Sequence, residues 1–248
     1  MSLKGEWSKK KYNRFLTYLD TFADLKYKEF NLRLINDNSV EYIGVRTPIL
    51  RKIAKEIANN DYCGFLKFNK HRYYEERVIH GFIIGYANLN YIQLFDMFRG
   101  FIPYMSSWAL TDMVSTKFKQ ILKNKDIAFE EIIKFIKSSN SWEVRFGLIL
   151  ILKIYIEKNF IDRILEICTF INKKHQCCVD GEIPYYVKIG NAWLISECFV
   201  SFSKKTEALL QSNILDGCTK NKAIQKIKES KRVPNNVKQR IEKLKVVV

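Results

Sequence analysis

Apolar residues recur at three- and four-residue steps along almost the whole chain, and this spacing decides the fold class. Steps of that size put residues on one face of an α-helix, whereas a half-buried strand alternates with period two. In Ile49–Ile57 the apolar positions are Ile49, Leu50, Ile53, Ala54 and Ile57, with Arg51, Lys52, Lys55 and Glu56 between them. Pro48 suits the first turn of this helix, and Thr47 ahead of it reads as the N-cap. Similar stripes run through Trp7–Leu19, Tyr74–Tyr86, Tyr91–Phe101, Phe129–Ile136, Val144–Ile156, Ile161–Ile171, Tyr185–Phe202 and Lys220–Glu229. Polar breaks at Asn59–Asp61, Ala87–Asn90, Ser138–Ser141 and Lys173–Gly181 separate them. The chain holds 10 glycines and 4 prolines, too few for a turn-rich all-β protein. The expectation is all-α: antiparallel helical hairpins stacked in series as a solenoid. No linker composition divides residues 1–248, so they read as a single helical-repeat domain.

Charge narrows the partner. The 42 Lys+Arg against 26 Asp+Glu leave a net charge of +16, which points to a polyanion, with nucleic acid ahead of an anionic membrane. The most apolar stretch, Phe146–Ile156, carries Lys153 inside it and is shorter than the roughly 20 residues of a spanning helix. The start, Met-Ser-Leu-Lys-Gly-Glu-Trp, lacks the apolar core of a signal peptide, which predicts a cytoplasmic, nucleoid-associated protein. Ser203–Val248 alone holds 12 Lys+Arg and 4 Asp+Glu, with Lys220, Lys222, Lys226, Lys228, Lys231 and Arg232 mostly at helical spacing. These lysines are either a solvated helix face or phosphate contacts.

The six cysteines form no Cys-x-x-Cys pair and none sits at metal-ligand spacing from His71, His80 or His175. They read as small buried or half-buried thiols, and no metal site is implied.

The residues suited to chemistry are few. Trp108 and Asp112 are spaced i, i+4, which puts an indole and a carboxylate on one helix face. Arg145 stands near the start of a strongly apolar helix and so needs a partner. Trp193 follows the aromatic opening Tyr185-Tyr-Val-Lys188. Each tryptophan, taken alone, is better explained by core packing.

Taken in order, Tyr42-Ile-Gly-Val-Arg-Thr-Pro-Ile-Leu-Arg-Lys-Ile-Ala-Lys55, Trp108-x-x-x-Asp112, Trp142-x-x-Arg145 and Tyr185-Tyr-Val-Lys-x-x-x-Ala-Trp193 resemble the AlkD-like DNA alkylation repair family. The similarity runs from about Phe22 to Arg232. It implies a C-shaped stack of HEAT-like helical repeats, an α-α superhelix whose basic concave face holds duplex DNA. It also implies a monomeric, monofunctional glycosylase acting on cationic N3- or N7-alkylpurines without a metal or organic cofactor. By the same resemblance Asp112 is the catalytic carboxylate, Trp108 and Trp193 flank the lesion's deoxyribose, and Arg145 lies in the DNA-binding cleft. Lys188, Lys222 and Lys226 are expected on the DNA as well. One departure is Gly190-Asn191, where relatives carry small apolar residues before the second tryptophan; it bears on rate and lesion preference.

The chemistry fits one carboxylate. Hydrolysis of an N-glycosidic bond builds positive charge at C1′, and glycosidases normally use a second carboxyl as an acid for the leaving group. An alkylated purine that is already cationic leaves without that acid. Two other readings remain at this stage: a non-catalytic relative that binds distorted or branched DNA, and a helical-repeat scaffold for an acidic protein.

Overall fold

The computed structural model describes residues 1–35, 37–115, 119–175 and 183–247. Among these, every regular element is helical, and the chain divides into two compact units, Met1–Ala128 and Phe129–Val248. The first unit carries α1 (Lys9–Asp20), α2 (Leu25–Ile35), α3 (Thr47–Ala58), α4 (Tyr62–Phe68), α5 (Tyr74–Tyr86), α6 (Tyr91–Phe101) and α7 (Trp108–Ser115). Helix α8 (Lys125–Lys137) opens at the end of the first unit and runs into the second. The second continues with α9 (Ser141–Ile154), α10 (Ile161–Lys174), α11 (Ile183–Ser201), α12 (Ser203–Gln211), α13 (Gly217–Glu229) and α14 (Asn235–Glu242). No helix among the described residues is long and apolar enough to cross a membrane.

The polar breaks in the sequence hold the caps. Asp61 accepts the Gly64 N–H at 2.9 Å, Asn90 and Gln93 cap each other's backbone at α6, and Asn140 accepts the Trp142 N–H at 2.9 Å. Each satisfies an amide that a helix start leaves without a partner, a contribution of about 1 kcal/mol. The cap of α3 differs from expectation. Arg46 occupies the N-cap position and Thr47 lies inside the helix, its hydroxyl 3.3 Å from that of Tyr27. Pro48 does stand in the first turn.

In the first unit α5 is the central element, packed against α3, α6 and α7 and buried from Tyr74 to Glu76 and from Val78 to Ile84, apart from the half-buried Arg77. Two glutamates lie in that core, and both are used. The Glu75 carboxylate accepts the N–H groups of Ile43, Gly44 and Val45 at 3.0, 2.7 and 3.1 Å. Gly44 has φ +101°, and a Cβ there would fall 2.7 Å from the Asp24 carbonyl, so only glycine fits the loop that wraps this carboxylate. Glu76 accepts the Tyr73 N–H at 2.7 Å and the Tyr12 hydroxyl. The Tyr42–Thr47 segment that opens the family resemblance is therefore a structural loop tied to α5.

In the second unit α11 is central, packed against α9, α10, α12 and α13. Helix α9 buries ten residues from Trp142 to Leu152. At roughly 1.5–3 kcal/mol for each large apolar side chain, such a helix is held by packing rather than by propensity. Of the cysteines, Cys168 and Cys198 are buried and Cys218 half-buried, but Cys63 is exposed, against the expectation of covered thiols. Cys177 and Cys178 lie outside the described residues.

Candidate functional site

On α7 the two stripes of the helix have different surroundings. Leu110, Thr111, Val114 and Ser115 are buried, whereas Trp108 and Asp112 share the opposite, half-buried stripe one turn apart. The buried stripe lies against α5, and Gly81 makes that approach possible: a Cβ on Gly81 would stand 2.2 Å from Val114 Cγ2. The turn ahead of α7 is tied down by Arg77 of α5. Its guanidinium donates to the Ser106 hydroxyl at 2.8 Å, the Tyr104 carbonyl at 3.3 Å and the His71 carbonyl at 3.1 Å. Ser106 in turn donates to the buried Asp37. Ser107 then starts the helix by accepting the Thr111 N–H on its carbonyl at 3.1 Å. Trp108 and Asp112 therefore stand on a helix whose inner face packs on α5 and whose leading turn is hydrogen-bonded to it. Sequence spacing finds this pair but not Arg77, Ser106 and Asp37, whose separation along the chain hides their hydrogen bonds.

On α11, from Tyr185 to Val200, all but one line of side chains is covered. Tyr186, Ile189, Trp193, Glu197 and Val200 are half-buried at steps of three and four, while most of their neighbours are core. At the start of this line Tyr186 stacks on Trp142 of α9, centroids 5.8 Å apart. Arg145, 4 % exposed, donates to the Tyr186 carbonyl, which supplies the partner its position demands. Farther along, Trp193 has two ammonium groups on its ring. Lys153 Nζ is 4.7 Å from the centroid and Lys226 Nζ 5.8 Å, both within cation–π range. Lys222, one turn before Lys226 on α13, stands 6.0 Å from the Tyr185 ring. The line then reaches Glu197, whose two carboxylate oxygens accept from Arg232 at 2.8 and 2.6 Å.

The basic residues thus divide into two kinds. Lys222 and Lys226 stand where a polyanion can meet them. Lys188 does not: it is 1 % exposed and pairs with Asp216 at 3.0 Å, so its charge is neutralised inside the unit rather than on a phosphate. Burial pushes the Asp216 carboxyl up, but the Thr219 N–H and hydroxyl and the Lys188 ammonium outweigh it and hold the group below the usual carboxylate range. Elsewhere in the C-terminal basic run Lys220 is buried, Lys228 pairs with Glu242 and Arg232 with Glu197. Part of that run is therefore engaged within the fold. Lys153 is absent from the site residues expected from sequence, although a lone charge in the most apolar stretch of the chain is its signal.

Asn191 points away from the exposed line. It is buried, donates to the Cys168 carbonyl of α10 at 2.9 Å, and leaves its side-chain oxygen without a partner. Its hydrogen bond serves packing against α10. Among the described residues no group of three His, Cys, Asp or Glu side chains could hold a metal ion.

The model of the DNA alkylation repair enzyme family matches residues 15–176, about two thirds of the chain. The match takes in Trp108, Asp112, Trp142 and Arg145 and ends before α11. No curated protein matches the chain. With the family model covering well over half of its length, the chain belongs to the DNA alkylation repair enzymes of the AlkD-like family.

Proposed function

We propose that the protein is a monofunctional DNA glycosylase that hydrolyses the N-glycosidic bond of cationic N3- or N7-alkylpurines in duplex DNA, with Asp112 as its catalytic carboxylate. The observation that carries this reading is the half-buried Trp108–Asp112 stripe on α7, whose other face is locked into the core. As the glycosidic bond breaks, positive charge builds at C1′ of the sugar, and a carboxylate about 4 Å away attracts it by about 4 kcal/mol at an effective dielectric near 20. An attraction present only in the transition state corresponds to a rate factor of roughly a thousand. The carboxylate also orients the water that completes hydrolysis. An indole beside the sugar adds roughly 0.5–2 kcal/mol as the cation forms, the role assigned to Trp108 and, on the second unit, to Trp193. The leaving purine is already cationic, so the reaction asks for no second acid, metal or organic cofactor.

The architecture we assign is a HEAT-like superhelix formed by the whole chain and working as a monomer. Its support lies within each unit, where next-but-one helices pack on each other as stacked helix pairs do: α3 on α5 and α5 on α7, then α9 on α11 and α11 on α13. A second reading, a DNA-binding relative without excision, draws on the α11 line, since lysines beside an aromatic ring need only a backbone to grip.

One assay separates the readings: release of free alkylpurine from methylated duplex DNA by the native chain and by Asp112→Asn. Release by the native chain and a loss of about a thousandfold or more in the variant, with duplex binding retained, is the expected result. Equal release by both removes Asp112 from the chemistry. No release by either, with binding intact, leaves the non-catalytic reading.

A further inference from the structure

The surface around Trp193 gathers positive charge without the carboxylates that accompany it at other places in this molecule. Several exposed cations elsewhere are matched in pairs: Arg46 with Asp24, Arg72 with Glu41, Arg163 with Glu130, Lys205 with Asp162 and Arg240 with Glu207. Others, such as Lys9, Lys52 and Lys67, stand apart on the surface and are not gathered on one ring. On the α11 line itself, Glu197 neutralises Arg232 one turn beyond Trp193. At Trp193 the pattern changes. Among the described residues neither Lys153 nor Lys226 pairs with a carboxylate, and both ammonium groups rest on the same indole at 4.7 and 5.8 Å.

This placement is unusual for each lysine. Lys153 is an exposed residue in the last turn of α9, a helix otherwise almost wholly buried. Lys226 is half-buried on α13, where its apolar neighbours Ala223, Ile224 and Ile227 are core. The two come from different helices to one ring of a third. Two like charges brought together repel each other unless an anion is shared between them. A cation–π contact returns only roughly 0.5–2 kcal/mol apiece, so the ring alone is a weak reason to gather them.

We infer that Lys153 and Lys226 form a two-cation site for one backbone phosphate, with the Trp193 indole as its floor. A phosphodiester oxygen accepts from both ammonium groups, and the strand's sugar then comes to lie beside the indole. Lysine suits this role because a rotatable ammonium meets a phosphate as a point charge without demanding a planar fork. Glu197 and Arg232 mark the end of the site, since each satisfies the other's charge and the pair leaves no free cation for a phosphate there. The inference rests on the reading that this chain binds duplex DNA, and it adds the residues that fix the backbone at Trp193. Both are positioning residues; neither touches the reacting atoms.

The test is the salt dependence of duplex binding, measured for the native chain, Lys153→Gln, Lys226→Gln, the double Gln variant and the double Arg variant. Lys205→Gln, an exposed lysine paired with Asp162, is the control. Removing the cations that neutralise one phosphate lowers the slope of log affinity against log salt concentration by about 0.9. If one phosphate is shared, each single Gln variant forfeits part of that slope and the double Gln variant forfeits about 0.9 in all, while the double Arg variant and the control keep the native slope. A double Gln variant that binds more weakly with the native slope overturns the phosphate site, because the lysines then only support Trp193. A native chain that binds no duplex at low salt overturns the DNA-binding reading itself, an outcome plainly different from an unchanged slope.

Discussion

Two helices carry the candidate tryptophans, and they are built in opposite ways. Helix α7 has eight residues, and hydrogen bonds from Arg77 and Ser106 fasten the turn that leads into it. Helix α11 has nineteen and is enclosed by four other helices. On α7 the group beside the indole is a carboxylate, whereas on α11 two ammonium groups lie on the ring. The sign of the charge beside each indole separates two tasks. Under the proposed function, the acidic stripe meets the cation that forms at the sugar, and the basic one meets the strand's backbone. Local anchoring suits the first task, which demands a fixed angle, and bulk packing suits the second, which demands a firm floor.

Acid offers the widest way to break that comparison, because the two units hold their histidines differently. In the first, His71 Nε2 and His80 Nδ1 share one proton at 2.8 Å, and His71 stacks on Tyr104 in the segment leading into α7. Burial lowers His71 to about 4, with the Arg77 charge assisting, and lowers His80 to about 3, with His71 assisting. Both are neutral when folded, whereas unfolded imidazoles take up protons below about 6.5. The unfolded state then binds more protons, so stability falls as pH drops below about 6.5, by roughly 2 kcal/mol for each imidazole at pH 5. In the second unit His175 is lowered in the same direction by burial and by the charges of Lys174 and Lys188. Between pH 7 and pH 5, amide protection relative to the intrinsic exchange rate is expected to fall more in α5 and α7 than in α9 and α11. His80→Gln, which removes one titrating group, is expected to flatten the acid limb of a melting curve. Equal acid sensitivity in the two units goes against this contrast.

A smaller perturbation aims at α7 alone. In Gly81→Ala the new methyl stands 2.2 Å from Val114 Cγ2, so α7 must shift or Val114 must turn. Overpacking of this kind costs about 1–3 kcal/mol, more than the roughly 1 kcal/mol that alanine returns in a helix. The variant is expected to melt lower and to lose alkylpurine release out of proportion to its duplex affinity, since α7 moves while α11 stays. Loss of affinity with release kept, at saturating DNA, points to α7 as part of the grip instead.

Much of this is legible in the sequence, and the failures at individual side chains share a cause. The 3.6-residue stripes mark α1, α3, α5, α6, α8 to α11 and α13, and the i, i+4 spacing marks the Trp108–Asp112 face, because both depend on near neighbours. The short or weakly apolar α2, α4, α12 and α14 are not marked in this way. Thr47 reads as a cap but is not one, since Tyr27, which meets its hydroxyl, lies twenty residues earlier. Lys188 reads as a DNA contact, yet it is buried against a partner, Asp216, that belongs to another helix start. The Arg77–Ser106–Asp37 anchor and the Lys153–Trp193–Lys226 cluster likewise join segments far apart in the chain. Local pattern shows which face of a helix is apolar; it does not show which distant charge that face will meet.

The finest test of the comparison uses the second helix glycine. Gly190 faces α9 as Gly81 faces α7, yet a Cβ there would meet Arg145 Nη1 at 3.5 Å and Leu148 Cδ1 at 3.6 Å, ordinary contact distances. Space is therefore not what selects glycine at this position. Gly190→Ala is expected to raise stability by up to about 1 kcal/mol through helix propensity alone, read as a higher denaturant midpoint with an unchanged slope. Duplex affinity is expected to stay within about twofold, because Arg145 keeps the Tyr186 carbonyl and Trp193 keeps its lysines. If Gly190→Ala instead weakens DNA binding as Gly81→Ala weakens release, α11 is as finely adjusted as α7. The division between a sharply positioned acid and a broadly packed grip then fails.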